Sequence, residues 1–424
     1  MSHRISYCLP LTAAVLLLSS GSTSAKTFTE SLTSGKVSAN IRTRYETVDD
    51  DAFAEKGKGL TIRTRLGYET APLYGFTTMI ELEDTEAVLG QDEYQPPAPP
   101  KPAATGYAVI ADPEGGELNR AQVRYRGVSK LDVILGRQRL VYDNQRFIGS
   151  VGWRQDEQTF DALSAVYTGI PDWTFSLAHV GKVNGITPVF NAETNDKLVN
   201  ILYNGFTLGK ISAYTYMLQN EEEVVTILNA GLQYDTNDTQ GLRFDGSYIL
   251  PTSAPLKTIY RLEMAKQSVD LKDGKSFDTD YQLLEAGITW TFGGSAFALT
   301  PMLGNELMGS DNGLYALQTP YATKHAFNGW VDQFLVTPKE GLDCRYFSLG
   351  FDLNNYTTKM MVLSRTFDAD EGSLDFGKET DFQIVKTIGA NWTVGAKYGS
   401  YSAGDTATLK KDATKMWAWA ELTF

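Results

Sequence analysis

The chain has 424 residues, of which 42% are hydrophobic, 12% aromatic and 21% charged, a composition that folds instead of staying disordered or forming a coiled coil. Thirty-eight Lys plus Arg against fifty-one Asp plus Glu leave a formal charge of -13, which argues against a protein that works by binding nucleic acid. Beyond residue 18 the purely apolar runs, such as Ala296 to Leu299 and Met360 to Leu363, fall far short of the roughly 20 residues of a membrane-spanning helix.

In chain order, Arg4 precedes an apolar stretch (Leu9, Leu11, Ala13 to Leu18) that ends in small residues, with Thr23 and Ala25 at cleavage positions. Residues 1–25 therefore read as a secretory signal peptide, and 26–424 as one mature domain. Cys8 lies before the apolar stretch, which argues against a lipid-anchored amino terminus, and Cys344 has no partner for an internal disulfide. An exported chain of this size without disulfides needs another source of rigidity, and a large sheet supplies it.

From residue 36 onward the dominant hydrophobic period is two, in segments of about ten residues closed by Gly, Asn, Asp or Pro. Ile41 to Tyr45, Leu60 to Leu66 and Ala121 to Arg126 place apolar groups on one face and arginines on the other. Alternation alone leaves a soluble sandwich and a barrel both open. The connections separate them. Short turns (71–73, 127–130, 169–172, 205–207, 293–294, 354–355) take turns with long polar loops (85–117, 139–157, 183–196, 269–279, 305–341, 368–379, 402–412), the sorting of an outer-membrane barrel with tight periplasmic turns. Nineteen segments carry the pattern, but an even number is required, and placing Val224 to Tyr234 in an outer loop restores the order. The expectation is an all-β, transmembrane antiparallel β-barrel of about 18 strands in the bacterial outer membrane. Met416, Ala418, Ala420, Leu422 and Phe424 alternate outward on the last strand, and the terminal Phe424 is similar to the signal read by the barrel-assembly machinery.

If the apolar face meets lipid, the other face lines a lumen too wide for strand side chains to fill. Inward positions of three strands are Arg42, Arg44, Arg63, Arg65, Arg124 and Arg126, a cationic block expected either to attract anions or to pair with Glu46, Glu69 and Glu81. Trp417 and Trp419 share the inward phase of the last strand, offering indole faces for sugar rings or filling space against a lumenal loop. Acidic runs at 49–51, 92–93, 221–223 and 368–371 fall in outer loops and lack calcium-loop spacing, so bridging to lipopolysaccharide through divalent ions is the plainer account. No metal or cofactor is expected. Neither HExxH nor GxSxG occurs, and His179, near an outer rim, is the one candidate base, better read as a rim histidine, so the chain is not expected to be an enzyme.

Two stretches carry a resemblance. Gly136-Arg-Gln138, Tyr142-Asp143, Arg146-Phe147, Gly149, Trp153-Arg-Gln155 and Thr159-Phe-Asp161 resemble the alginate-export family of outer-membrane barrels, and so do Thr319-Pro320, His325 to Trp330, Asp332, Phe334 and Pro338 to Leu342. The resemblance implies eighteen strands around an electropositive pore for an anionic uronate polymer. It also has a departure: in the family's secretion member a long periplasmic turn between the sixteenth and seventeenth strands helps close the pore, whereas Gly389 to Trp392 is short here. Closure must come from elsewhere. Arg146, Trp153 and Arg154 in one outer loop and His325, Trp330 and Asp332 in another are expected to fold inward as a constriction or to lie as a lid, with an Arg154–Asp332 bond and a Trp153–Trp330 contact. The leading functional expectation is passive diffusion of anionic small solutes or acidic oligosaccharides. Export of an acidic polysaccharide, and a non-conducting adhesin or structural barrel, are the alternatives. Expected partners are membrane lipid and lipopolysaccharide, the assembly machinery and the anionic solute; oligomeric state is open, with a monomer favoured.

Overall fold

The computed structural model describes residues 25–97, 105–221, 234–251, 256–292, 296–405 and 410–424. The signal-peptide reading lies outside these residues except for Ala25, as does Val224 to Tyr234 except for Tyr234. Among these residues a six-residue helix, α1 (Phe28–Thr33), precedes twenty strands. The first nine are β1 Lys36–Asp50, β2 Gly57–Glu69, β3 Phe76–Glu93, β4 Gly115–Tyr125, β5 Leu131–Gln138, β6 Thr159–Tyr167, β7 Trp173–Asn184, β8 Ala192–Phe206 and β9 Gly209–Gln219. Then come β10 Tyr234–Ile249, β11 Leu256–Leu271, β12 Ser276–Phe292 and β13 Phe297–Met308. A two-residue pair follows, β14 Ser310–Asp311 with β15 Tyr315–Ala316. The last five are β16 Leu342–Leu353, β17 Thr358–Asp368, β18 Asp375–Ile388, β19 Trp392–Ala403 and β20 Ala413–Thr423.

Apart from β14 and β15, the strands form one 18-stranded antiparallel sheet in which sequence neighbours pair. It closes on itself where β20 pairs β1 from Asn40 opposite Thr423 to Asp50 opposite Ala413. Closure leaves no free edge, as a spanning sheet requires, since lipid offers backbone groups no partners. Phe424 continues the seam: its N–H donates to Ala39 O (3.0 Å), and Ala39 N–H donates back (2.7 Å). No helix among the described residues is long and apolar enough to cross a membrane.

The period-two pattern sets the two faces. Leu66, Ile80, Leu135, Leu242, Met264 and Leu303 point outward and are exposed on the wall. Near the short-turn rim the outward positions become aromatic, with Tyr74, Phe76, Trp173, Trp290 and Trp392, as at a membrane interface. At this rim the strand ends fall within two residues of those expected from sequence. At the other rim several strands run further, most of all β3, which reaches Glu93, not residue 84. The extra residues of β3 keep no alternating apolar outward face, with Glu86 at an outward position, because a strand that has left the hydrocarbon no longer needs one.

Candidate functional site

The long loops decide what the lumen contains. Loops 139–158 and 309–341 turn inward and pack with the barrel wall around Phe147, Phe160, Tyr281, Tyr321 and Phe334, while Tyr94, Ala108 and Ile110 form a separate small cluster with Val48 of β1. Loops 139–158 and 309–341 are bonded to each other: Gly149 N–H donates to Tyr321 O (2.9 Å), and Thr323 N–H donates to Gln145 O (3.0 Å).

A loop buried in this way carries carbonyl groups that water no longer reaches, and each needs a donor. The wall arginines supply them. Arg42 donates to Gln155 Oε1 (2.9 Å), Gly152 O (3.1 Å) and Arg154 O, and Arg44 donates to Trp153 O (2.5 Å) and Asp112. Arg63 reaches Gln155 O (3.5 Å), Asn40 and Glu421, while Arg65 pairs with Glu83 and, at 3.5 Å, Glu157. These four arginines face inward as the period requires, but all four are buried. The expectation that they line an open pore is therefore corrected: they form the floor on which loop 139–158 lies. Arg124 and Arg126 are also inward, near the short-turn rim, and both bind one carboxylate, Asp132, at 2.7 and 2.9 Å. Of the carboxylates expected to pair, Glu46 takes Arg154 at 3.0 Å and Glu81 takes Arg120 at 2.8 Å.

Of the six loop residues singled out from sequence, all but Arg146 gather in one cluster centred on the Asp332 carboxylate. Asp332 accepts from Arg154 (3.2 Å) on the other loop, from Lys415 (2.8 Å) on β20, and from His325 Nδ1 (2.7 Å). His325 Nε2 is in turn 2.7 Å from Lys397 Nζ on β19. Burial alone would raise the Asp332 carboxyl, but Lys415, His325 and Arg154 hold it well below the usual carboxylate range. Burial and then Lys397 push the His325 imidazole down to about 3, so it is neutral and donates from Nδ1. Trp153 stacks on His325 (4.9 Å between centroids, 8° between planes) and meets Trp417 and Trp419 edge-on at 5.7 and 5.6 Å. The expected Trp153–Trp330 contact runs through a cation: Lys397 Nζ lies 3.6 Å from the Trp330 ring centroid and 4.5 Å from that of Trp153. Trp417 is buried in this cluster, so its face is taken by the loops and is not presented to a passing solute. Arg146 is buried elsewhere in the junction, 2.7 Å from Glu306 of β13 and 5.0 Å from the Phe327 ring.

The second family-like stretch is shaped by its wall contacts. At Gly329 φ is +90°, and a Cβ there would come within 2.6 Å of the Glu379 carboxylate. Only glycine lets Glu379 of β18 accept the Trp330 and Val331 N–H groups at this bend. Asn328 Nδ2 donates to Phe334 O (2.6 Å), closing the same turn. Asp112, Lys397, Lys415 and Glu379 were not picked out from sequence, although Lys415 shares the inward phase of Trp417 and Trp419. His179 lies on the outward face, and its Nδ1 is 3.2 Å from the Asp196 backbone carbonyl. No group of three or more His, Cys, Asp or Glu among the described residues is arranged to hold a metal ion.

The loops fill one side of the lumen and leave the other open. A cavity of about 610 Å³ lies against β8 to β13, β16 and β17 and reaches the short-turn rim at Thr207 and Ser247. Asp143, Phe327 and Trp330 form its roof, and Lys210, Arg243, Lys257, Arg261 and Arg365 supply its cations. Three are committed: Arg243 to Asp245 (2.7 Å) and Glu263 (2.5 Å), Arg261 to Glu285 (2.6 Å), and Arg365 to loop carbonyls at Ala326 and Phe327. Lys210 and Lys257 have no ion-pair partner within 4.0 Å among the described residues, and both are only half-buried.

A closed 18-stranded antiparallel barrel with an aromatic band at one rim, an apolar outer wall and a charged lumen defines an outer-membrane β-barrel of the porin kind. Residues 36–297 match the family model described as Alginate export, and the chain belongs to that family. Among solved structures it is similar to OccAB2 of Acinetobacter baumannii, with a TM-score of 0.67 and 16% identity over 93% of this chain and 99% of that one. OccAB3 of the same organism gives 0.69 and 12% over 92% and 99%. OpdK of Pseudomonas aeruginosa, solved with vanillate, gives 0.65 and 12% over 93% and 99%. At these identities the likeness is one of fold. No curated protein matches the chain in sequence.

Proposed function

We propose that this protein is an outer-membrane channel through which small anionic solutes or short acidic saccharides diffuse passively. The observation that carries the reading is the open half of the lumen: a cavity of about 610 Å³ with five basic side chains, two of them without an ion-pair partner among the described residues. Its size suits a small solute held between cations, and narrowing by the two loops supplies the discrimination that a bare barrel of this width lacks. A small carboxylate in one structural neighbour, the vanillate of OpdK, accords with it. The family's description favours a second reading, export of an acidic polymer, which requires the joined loops to part. Liposome swelling tests the first: galacturonate and small aromatic carboxylates should enter faster than neutral sugars of equal size. Equal rates would remove charge selection, and no swelling by any of them, with membrane insertion confirmed, would leave a closed structural barrel.

A further inference from the structure

A groove on the outside of the barrel is unexplained by any role in permeation. Helix α1 is too short to be stable alone, since one and a half turns cannot repay nucleation. It is fastened to the wall instead. Ser31 Oγ donates to Ala71 O (2.5 Å), and Ala71 N–H donates back to Ser31 O (3.0 Å). Tyr68, which points outward from β2, donates its hydroxyl hydrogen to Leu32 O and accepts from Gly35 N–H (3.2 Å).

This clamp holds α1 on the lipid side of the wall, at the level of the aromatic band. Between helix and wall lies a groove of about 400 Å³ lined by Phe28, Leu32, Tyr68, Tyr74, Phe76 and Ile80. Phe28 and Tyr74 are 68% and 80% exposed, so the clamp presents apolar groups without covering them. In water that arrangement is unfavourable. The groove is continuous with the membrane-facing surface, since Phe76 and Ile80 are outward residues of β3, and it opens at the short-turn, periplasmic rim. The leaflet at that rim is the phospholipid leaflet.

We infer that the groove between α1 and β2–β3 holds one acyl chain of a phospholipid of the periplasmic leaflet, and that α1 anchors the amino-terminal end of the barrel at that interface. The site is independent of the channel reading. Native mass spectrometry of the full-length processed protein, extracted in mild detergent from outer membranes, tests it. The expected spectrum shows one phospholipid retained per barrel, and a Phe28→Ser/Leu32→Ser variant should lose at least nine-tenths of that retention while keeping the heat-dependent gel shift of a closed barrel. Should the variant fail to assemble, Ile80→Ser, which leaves α1 and its clamp untouched, should lower retention instead. Lipid-free barrels, retention unchanged by these substitutions, a lipid A mass in place of a phospholipid, or a dimer that buries the groove would each overturn it.

Discussion

The two halves of the lumen carry the same kind of side chain to different ends. On β1 and β2 the arginines are buried and spend their donors on loop carbonyls and carboxylates, while on β9 to β11 the basic groups border an open cavity. A folded-in loop makes the difference. Where it lies on the wall, a cation becomes a structural donor, and where it does not, Arg243 and Arg261 pair with wall carboxylates while Lys210 and Lys257 keep no ion-pair partner among the described residues. A cationic stripe on a barrel strand therefore identifies the lumenal face without telling which of these roles it plays.

The sharpest way to break the comparison is to unfasten the packed half. Asp332→Asn leaves Lys415 and Arg154 with a neutral partner in a buried site, and losing one member of a buried ion pair costs about 3–5 kcal/mol. Urea unfolding in detergent should show a loss of that order, and single-channel conductance should rise as the joined loops loosen. Unchanged conductance in an assembled variant would mean that the loops form a lid with no part in the constriction.

A second effect is pH-dependent. His325 is neutral down to about 3 in the folded protein but titrates near 6.5 when unfolded, so the unfolded chain binds the extra proton between those values. Its contribution is complete above about pH 6.5 and is lost as pH falls toward 3. His325→Gln should flatten the fall in stability between pH 6.5 and 4, and an unaltered slope would show the imidazole to be charged or exposed.

The smallest expected effect has the opposite sign. Asp156 of loop 139–158 is pushed up to about 10 by burial and by Glu117 and Glu83. It is therefore protonated when folded and ionised when unfolded across the neutral range, and its contribution falls as pH rises. Asp156→Asn should raise stability modestly at pH 8 and hardly at all at pH 4. Equal change at both values would assign the effect to packing.

All eighteen barrel strands were legible in the sequence, because half-buried strands in lipid alternate strictly and their turns carry Gly, Asn or Asp. The outer ends were less legible: from Glu83 to Glu93 in β3 no apolar alternation marks the chain as strand. Within the site, the Arg154–Asp332 bond was readable from complementary charge in two inward loops. The job of Arg42 and Arg44 was not, since a side chain's partners across more than a hundred residues leave no local pattern. Lys397 was hidden for the same reason: it is a lone charge on β19 whose cage comes from two loops and β20.

Ion selectivity in planar bilayers tests the division of labour most directly. Reversal potentials under a KCl gradient should show anion preference in the wild-type protein, and more strongly at 0.01 M salt, where the Debye length is about 30 Å, than at 0.1 M, where it is about 10 Å. Lys210→Gln/Lys257→Gln should move the potential toward cations without loss of stability, whereas Arg42→Gln/Arg44→Gln should lower stability and leave selectivity nearly unchanged. A selectivity shift confined to the Arg42/Arg44 variant, or cation preference in the wild-type channel, would contradict the account.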